Sequence, residues 1–353
     1  MHNFPRGLRR SAHRAFRRPL PQHLRFLTAG LAVAALSLVG CSGGADSTAA
    51  HSPSTGTPVS STHAPESGEV PLPQIVNPHF DVPGTAAGPG AVPTLTMSVS
   101  AVVELPEAPF VQGLEFESDG SLLVGTGLYG QSQIYRLPAF TEALTARPGL
   151  SGPPVTYSGA ATQVHDLPPE YFGEGITRAA DAVWQLTWRE GVALKRDANT
   201  LEPVQEAALE TEGWGVCAFS DTVVTSDGSG TLTMRSPEDF RPASTTQVSA
   251  KGAATTWLNE LECVDGEHGR EIWANVWQSP YLYRIDASSG EVTGVVDASP
   301  LIADMVARLT PEQRGQVDVL NGIAALVGGD SGQREFLLTG KLWPVAYVVT
   351  ISD

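Results

Sequence analysis

The sequence predicts an all-β fold, a five-bladed β-propeller, from three observations. Short runs rich in β-branched and aromatic residues recur from about residue 94 onward, broken by Asp-Gly, Ser-Gly and Asn-Gly pairs of the kind that favour turns. Few stretches carry a helical period. The runs also group into five loose repeats, each opening on a small residue or Leu, with a short apolar strand, a polar turn and further strands. The repeats start at Gly113, Gly175, Gly215, Leu261 and Gly322, spaced 62, 40, 46 and 61 residues apart. Units of about 40 to 60 residues with three or four strands each are the signature of propeller blades, none of which can bury its faces alone.

Thr94–Leu105 (TLTMSVSAVVEL) alternates like a strand and precedes the first repeat. It is expected to close the ring by joining the last blade, which removes an open sheet edge. One helix is expected over Leu301–Leu309, ended by Pro311 and lying on the surface between strands.

The N-terminus is a separate object. No Asp or Glu precedes Asp46, whereas seven Arg fall between Arg6 and Arg25 and lead into an apolar run, Phe26–Gly40, too short for a comfortable membrane span. Residues 1–40 therefore read as a signal peptide. Leu38-Val39-Gly40 before Cys41 resembles a bacterial lipobox, in which the cysteine is acylated and becomes the mature N-terminus. The expected location is outside the cytoplasm, on the cell membrane, anchored as a lipoprotein. The pairs Arg9-Arg10 and Arg17-Arg18 raise a twin-arginine export route, which Pro19 leaves open. Residues 41–93 are Ser, Thr, Pro, Gly and Ala with few large apolar groups and read as a tether. Residues 94–353 hold all seven Trp and suffice for one large domain.

Of 22 basic residues, seven leave with the signal peptide, so 15 remain against 38 acidic ones, a net of −23. So acidic a chain disfavours nucleic acid and anionic headgroups as partners. A monomer is expected. Apart from Cys41, only Cys217 and Cys263 remain; an exported protein can pair them, but free buried thiols fit their apolar strand contexts equally well.

The segments entering the repeats are unusual for a surface: Phe110-Val111-Gln112-Gly113, Phe172-Gly173-Glu174-Gly175, Gly213-Trp214-Gly215, Leu258-Asn259-Glu260-Leu261-Glu262 and Val319-Leu320-Asn321-Gly322. Glycines and large apolar groups alternate with one polar residue. In a propeller these entries lie at one mouth of the central channel, so their polar residues should converge on one site.

The blocks FVQGLEF, TGLYGQS, FGEGIT, QLTW, GWGVC, SDGS, LNELE, WANVWQ, NGIA and TGKLWP, in this order from Phe110 to Pro344, resemble the plant and bacterial glutaminyl-peptide cyclotransferases, also called glutamine cyclotransferases. The resemblance implies a five-bladed propeller that closes the N-terminal glutamine of peptides or proteins into pyroglutamate, releasing ammonia, with no cofactor and no metal. It implies Glu174 as acid/base, with Gln112, Asn259 and Lys341 as the polar partners and Phe110, Trp188, Trp214 and Trp277 as walls. One departure is a longer hairpin around His268-Gly269-Arg270, expected to spare the pocket. Trp184, Trp257 and Trp273 are expected to pack between blades, Trp343 to do either, and Asp227 and Glu262 to form turns or support the site.

These residue types suit the chemistry. The α-amine must attack its own side-chain amide while neutral, and the leaving nitrogen must depart as ammonia. A free α-amine titrates near pH ~8, so protonating the leaving group is the harder task. One carboxylate, its affinity for protons raised by desolvation, can take the proton from the amine and return it to the departing nitrogen. Lys341, Gln112 or Asn259 can donate to the tetrahedral oxygen. The aromatic walls would fold the chain into its attacking conformer and exclude water.

Rival signals are weak. Gly329-Asp330-Ser331-Gly332 looks like a protease nucleophile segment but reads as a hairpin tip, and the folded part offers only His165 and His268, in loop-like contexts, as a base. Two histidines and no Cys-x-x-Cys leave no zinc site of usual type. The alternative from another class is a lipid-anchored propeller that binds a peptide or other ligand at the same mouth without turning it over.

Overall fold

The computed structural model describes residues 92–266, 269–326 and 334–353. Among these, the strands build five four-stranded antiparallel blades. Blade 1 runs Val111–Phe116, Leu122–Thr126, Gln133–Leu137 and Thr162–Asp166; blade 2 runs Gly173–Ala179, Ala182–Thr187, Val192–Asp197 and Pro203–Ala208. Blade 3 comprises Val216–Ala218, Val223–Ser226, Thr231–Arg235 and Pro242–Gln247; blade 4 comprises Leu258–Gly266, Gly269–Val276, Tyr281–Asp286 and Val292–Asp297. Blade 5 takes Leu320–Ala325, Arg334–Gly340 and Val345–Ser352 from the C-terminal end of the chain and Thr96–Glu104 from the N-terminal side.

The last pairing is the expected closure. Thr96–Glu104 lies antiparallel to Val345–Ser352, from Thr96 opposite Ser352 to Glu104 opposite Val345. A two-residue strand, Val155–Thr156, adds to its free edge in parallel. The described chain reaches back before residue 94: Val295 N–H donates to the Pro93 carbonyl at 2.9 Å, and Val92 is buried in the blade 3–blade 4 core. Two residues assigned to the tether are thus fixed to blade 4. The other expectations for residues 1–91, including the signal peptide and Cys41, fall outside the described residues, as do His268 and the Gly329–Gly332 segment.

The first strand of each blade is innermost, and these strands pack side by side in a ring, blade 1 on blades 2 and 5, blade 3 on 2 and 4, and blade 4 on 5. Between the blades lie face-to-face apolar layers. Trp184 of blade 2 stacks on Phe240 of blade 3 at 4.5 Å, and Trp273 of blade 4 on Phe336 of blade 5 at 4.9 Å. Both indoles are fully buried, as expected of blade packing. Trp343 resolves the same way: it is fully buried, and its Nε1 donates to the Asp318 carbonyl at 2.8 Å. Cys217 and Cys263 form a disulfide between the inner strands of blades 3 and 4, with their Cα atoms 5.3 Å apart. The expected helix runs Ser299–Arg308 and is less superficial than anticipated, because Leu301, Ile302 and Met305 are buried against blades 4 and 5.

Candidate active site

The inner strands do more than line a channel. Four of the five lose register with their neighbour at the same place: between Val111 and Gly113, Gly173 and Ile176, Leu258 and Leu261, and Leu320 and Ile323. Such bulges re-aim a side chain that the two-residue pleat would otherwise place elsewhere. The residues inside them are Gln112, Glu174, Asn259 with Glu260, and Asn321, each at most 6% exposed. A glycine follows the polar residue in blades 1, 2 and 5, and Trp214-Gly215 takes the corresponding place in blade 3. The reason is steric. A Cβ on Gly175 would stand 2.8 Å from the Trp214 carbonyl oxygen, and one on Gly215 would stand 2.1 Å from that of Asn259.

Three of these side chains, Gln112, Glu174 and Asn259, meet at a cavity of about 180 Å³ lined by Phe110, Gln112, Phe172, Glu174, Trp188, Trp214, Asn259, Trp277, Asp318 and Lys341. All eight residues expected at the site are therefore brought together. Past each bulge the ladder resumes: Trp188 N–H donates to the Phe172 carbonyl, Trp277 to Trp257, and Lys341 to Val319, at 2.8 to 3.0 Å. Trp188, Trp277 and Lys341 are thus the same position of three different blades.

Two aromatic arcs form the walls. Phe172 lies edge-on to Phe110 at 6.1 Å and contacts Trp188 at 5.5 Å. Trp277 lies edge-on to Trp214 at 5.4 Å and is backed by Trp257 at 4.9 Å. Glu212 ties the arcs together: its Oε2 accepts from Trp188 Nε1 at 3.0 Å and from Trp214 Nε1 at 3.1 Å, while Arg189 binds its Oε1 and lies 3.6 Å above the Trp188 ring. Trp257 corrects the expectation of blade packing, since it sits in the indole cluster at the mouth. Phe172, Trp257 and Glu212 escaped the sequence reading, yet a signal was present. Phe110, Phe172, Glu212, Trp257 and Val319 each lie two residues before the polar or indole residue of their segment.

Glu174 is buried, and Gln112 Nε2 donates to its Oε1 at 3.0 Å. Burial pushes its pKa well above the ordinary value; the Lys341 charge opposes that, and Glu190 and Glu212 add to it. Lys341 is itself lowered by burial, with Glu174 and Asp318 working against the shift, and its Nζ lies 5.2 Å from the centre of the Phe110 ring. Neither Glu174 Oε2 nor the side-chain amide of Asn259 has a hydrogen-bond partner among the described residues, so both keep capacity for a bound molecule. The Asp318 carboxylate lines the cavity but already accepts from Val319 N–H at 2.7 Å.

The remaining candidates lie elsewhere. Asp227 forms a turn, accepting from Ser229 N–H at 3.0 Å. His165 sits on the outermost strand of blade 1, not in a loop, and its ring bonds the Thr200 carbonyl. The lengthened hairpin of blade 4 closes at Gly266–Gly269, the opposite end of its strands from Leu258 and Val276, and spares the pocket. Among the described residues no group of three or more His, Cys, Asp or Glu is placed to hold a metal ion.

The family model for glutamine cyclotransferase matches residues 80–351, most of the chain. The chain belongs to the glutamine cyclotransferase family. It is 30% identical over 258 residues to a glutaminyl-peptide cyclotransferase of Arabidopsis thaliana, covering 72% of each chain. It also resembles the crystal structure of Myxococcus xanthus glutaminyl cyclase, with a TM-score of 0.60 and 28% identity over 74% of this chain and 98% of that one. Membership in the glutamine cyclotransferase family makes this propeller an enzyme that converts N-terminal glutamine to pyroglutamate, and the binding-only alternative is not favoured.

Proposed function

We propose that Gln112, Glu174, Asn259 and Lys341 carry this ring closure, with Glu174 as the single acid/base. The observation that supports it best is a buried carboxylate with one oxygen held by Gln112 and the other open to an aromatic cavity that also holds Lys341 and Asn259. The substrate's glutaminyl side chain folds between the two aromatic arcs, which bring its α-amine nitrogen onto Cδ. As the C–N bond forms, Glu174 Oε2 takes a proton from the amine. Lys341 and the Asn259 amide stabilise the oxygen, where charge develops. Glu174 then returns the proton to the amide nitrogen, that C–N bond breaks, and ammonia leaves. Desolvation matters here because a carboxylate with an elevated pKa is both a competent base and a better acid near neutral pH.

The chain is further proposed to work outside the cytoplasm, exported by residues 1–40 and held to the membrane by a lipid on Cys41. Residues 41–91 would serve as tether, and the propeller would act as a monomer. The Cys217–Cys263 disulfide supports an oxidising compartment.

The test uses the full chain and a peptide beginning in Gln, following ammonia release and the matching loss of peptide mass. Glu174→Gln keeps the shape but cannot exchange the proton, and is expected to lower kcat at least ~10³-fold with an unchanged thermal midpoint. Retained turnover would remove Glu174 from the chemistry. In the same cells, Cys41→Ala should move activity from the membrane fraction to the soluble one; activity that stays with the membrane would refute the anchor.

A further inference from the structure

The polarity of the hydrogen bonds behind Glu174 follows from one backbone carbonyl. Asn321, in the bulge of blade 5, is fully buried, and its Nδ2 lies 3.0 Å from the Val111 carbonyl oxygen and 3.2 Å from Gln112 Oε1. A carbonyl can only accept, so the Asn321 atom facing it must be the NH₂ group, and the orientation of that amide is fixed without reference to any side chain. The second proton of Nδ2 then needs an acceptor, which Gln112 provides with Oε1. Reversing Gln112 would set two N–H groups against each other. Its Nε2 is thereby committed to Glu174, whose Oε1 receives the bond at 3.0 Å. The series runs across three blades, from 5 through 1 to 2. The strand carrying Asn321 is itself pinned, because Gly322 N–H donates to Asn275 Oδ1 at 3.1 Å.

We infer that Asn321 is a positioning residue for the acid/base: acting through Gln112, it keeps a donor on Glu174 Oε1 and so makes Oε2 the oxygen that carries the transferred proton. This rests on the reading of Glu174 given above. A proton on Oε1 would weaken the bond it accepts from Gln112, because a hydroxyl oxygen is a poorer acceptor than a carboxylate oxygen. Among the described residues Oε2 has no hydrogen-bond partner, so the proton stays on the cavity side throughout the cycle. The same donor favours the ionised form of Glu174, countering burial.

The test is the pH dependence of kcat for ammonia release by the full chain. In Asn321→Ala, Gln112 is free to turn its oxygen to Glu174, which favours the protonated acid. The acid limb of kcat should then move up by about one pH unit, with at least ~10-fold less turnover at pH ~6. Asn321→Asp preserves the shape, and its carboxylate, once ionised, can only accept, so that Gln112 must reverse; its acid limb should then move further up. On a Gln112→Ala background, Asn321→Ala should change neither limb nor rate, because the partner through which it acts is gone.

A side chain that merely held blade 5 would lower the thermal midpoint and leave the limb in place. An unshifted limb in either folded Asn321 variant, or additive losses in the double variant, overturns the proposal. An active Asn321→Asp suffices for that decision even if Asn321→Ala does not fold. A chain with no turnover before any substitution fails differently: it removes the acid/base reading itself, and this proposal with it.

Discussion

The channel holds two sets of buried carboxylates, and they differ in what their oxygens are doing. At the mouth, Glu174 has one oxygen on Gln112, the other facing the cavity, and the opposing charge of Lys341 in its surroundings. Deeper, Glu260 follows Asn259 in blade 4 and spends both oxygens on backbone: Oε1 accepts from Leu114 N–H of blade 1 at 3.3 Å, and Oε2 from Ile323 N–H of blade 5 at 2.8 Å. Burial pushes both carboxyls well above their ordinary range. A raised pKa therefore does not distinguish them. On the proposed reading, what separates the proton carrier Glu174 from the strut Glu260 is an unspent oxygen, an adjoining cavity and a cation to balance the charge. Blade 4 shows how the strut arises, since Glu260 stands where three other blades carry glycine after the polar residue, and its side chain crosses to two neighbours.

After the loss of Glu174 itself, removing the cation at the mouth should have the largest effect. Lys341→Met keeps the apolar stem but not the charge, and should cut kcat ~10²- to 10³-fold, the usual cost of a lost charge-stabilising donor. Because Lys341 holds the Glu174 pKa down, its loss should also move the acid limb of kcat upward. A rate within a few-fold of the unaltered chain would show that Lys341 is only packing against Phe110.

On the other side, Glu260→Gln replaces one acceptor with an NH₂ group facing a backbone N–H. It should cost roughly 1–3 kcal/mol in denaturant unfolding, the penalty for a buried unsatisfied donor. Turnover per folded molecule should stay within a few-fold. A loss of rate matching Glu174→Gln with stability untouched would reverse the two assignments.

The contrast also marks where sequence was informative. Blades were legible because turn pairs and alternating strands repeat locally, and the closing strand showed its alternation before the first repeat. The mouth residues Gln112, Glu174, Asn259 and Lys341 were legible through family motifs, and three of them through their place at repeat entries. The bulges were not, because a one-residue register slip leaves no mark in composition yet decides which side chain faces the channel. So Asn321 could be placed among the converging segments without its link to Gln112, and Glu260 without its two backbone partners. Trp257 looked like Trp184 and Trp273, since all three are indoles beside apolar strands; only its place two residues before Asn259, matching Phe110 before Gln112, sets it apart. The pairing of Cys217 with Cys263 needed the distance between two inner strands, which spacing along the chain does not contain.

The smallest expected effect concerns a carboxylate that is only half-buried. Glu115, on the inner strand of blade 1, accepts from Arg178 N–H of blade 2 at 2.7 Å, and its pKa is raised from 4.5 to about 7, chiefly by burial and with a contribution from the Glu117 charge. Between these two values Glu115 holds a proton in the folded chain that it has released in the unfolded one, so its contribution to stability falls as pH rises from about 4.5 through about 7. Glu115→Gln keeps an oxygen for Arg178 N–H but has no charge to bury. Its unfolding free energy should equal that of the unaltered chain below about pH 4.5 and exceed it by roughly 1–3 kcal/mol at pH ~8, read from denaturant melts at each pH. A difference that does not change with pH would mean that Glu115 is already ionised in the fold, sustained by its backbone donor; a difference that grows through neutrality would show that Glu115 is carried in the fold at a cost to stability, with no part in the proposed chemistry.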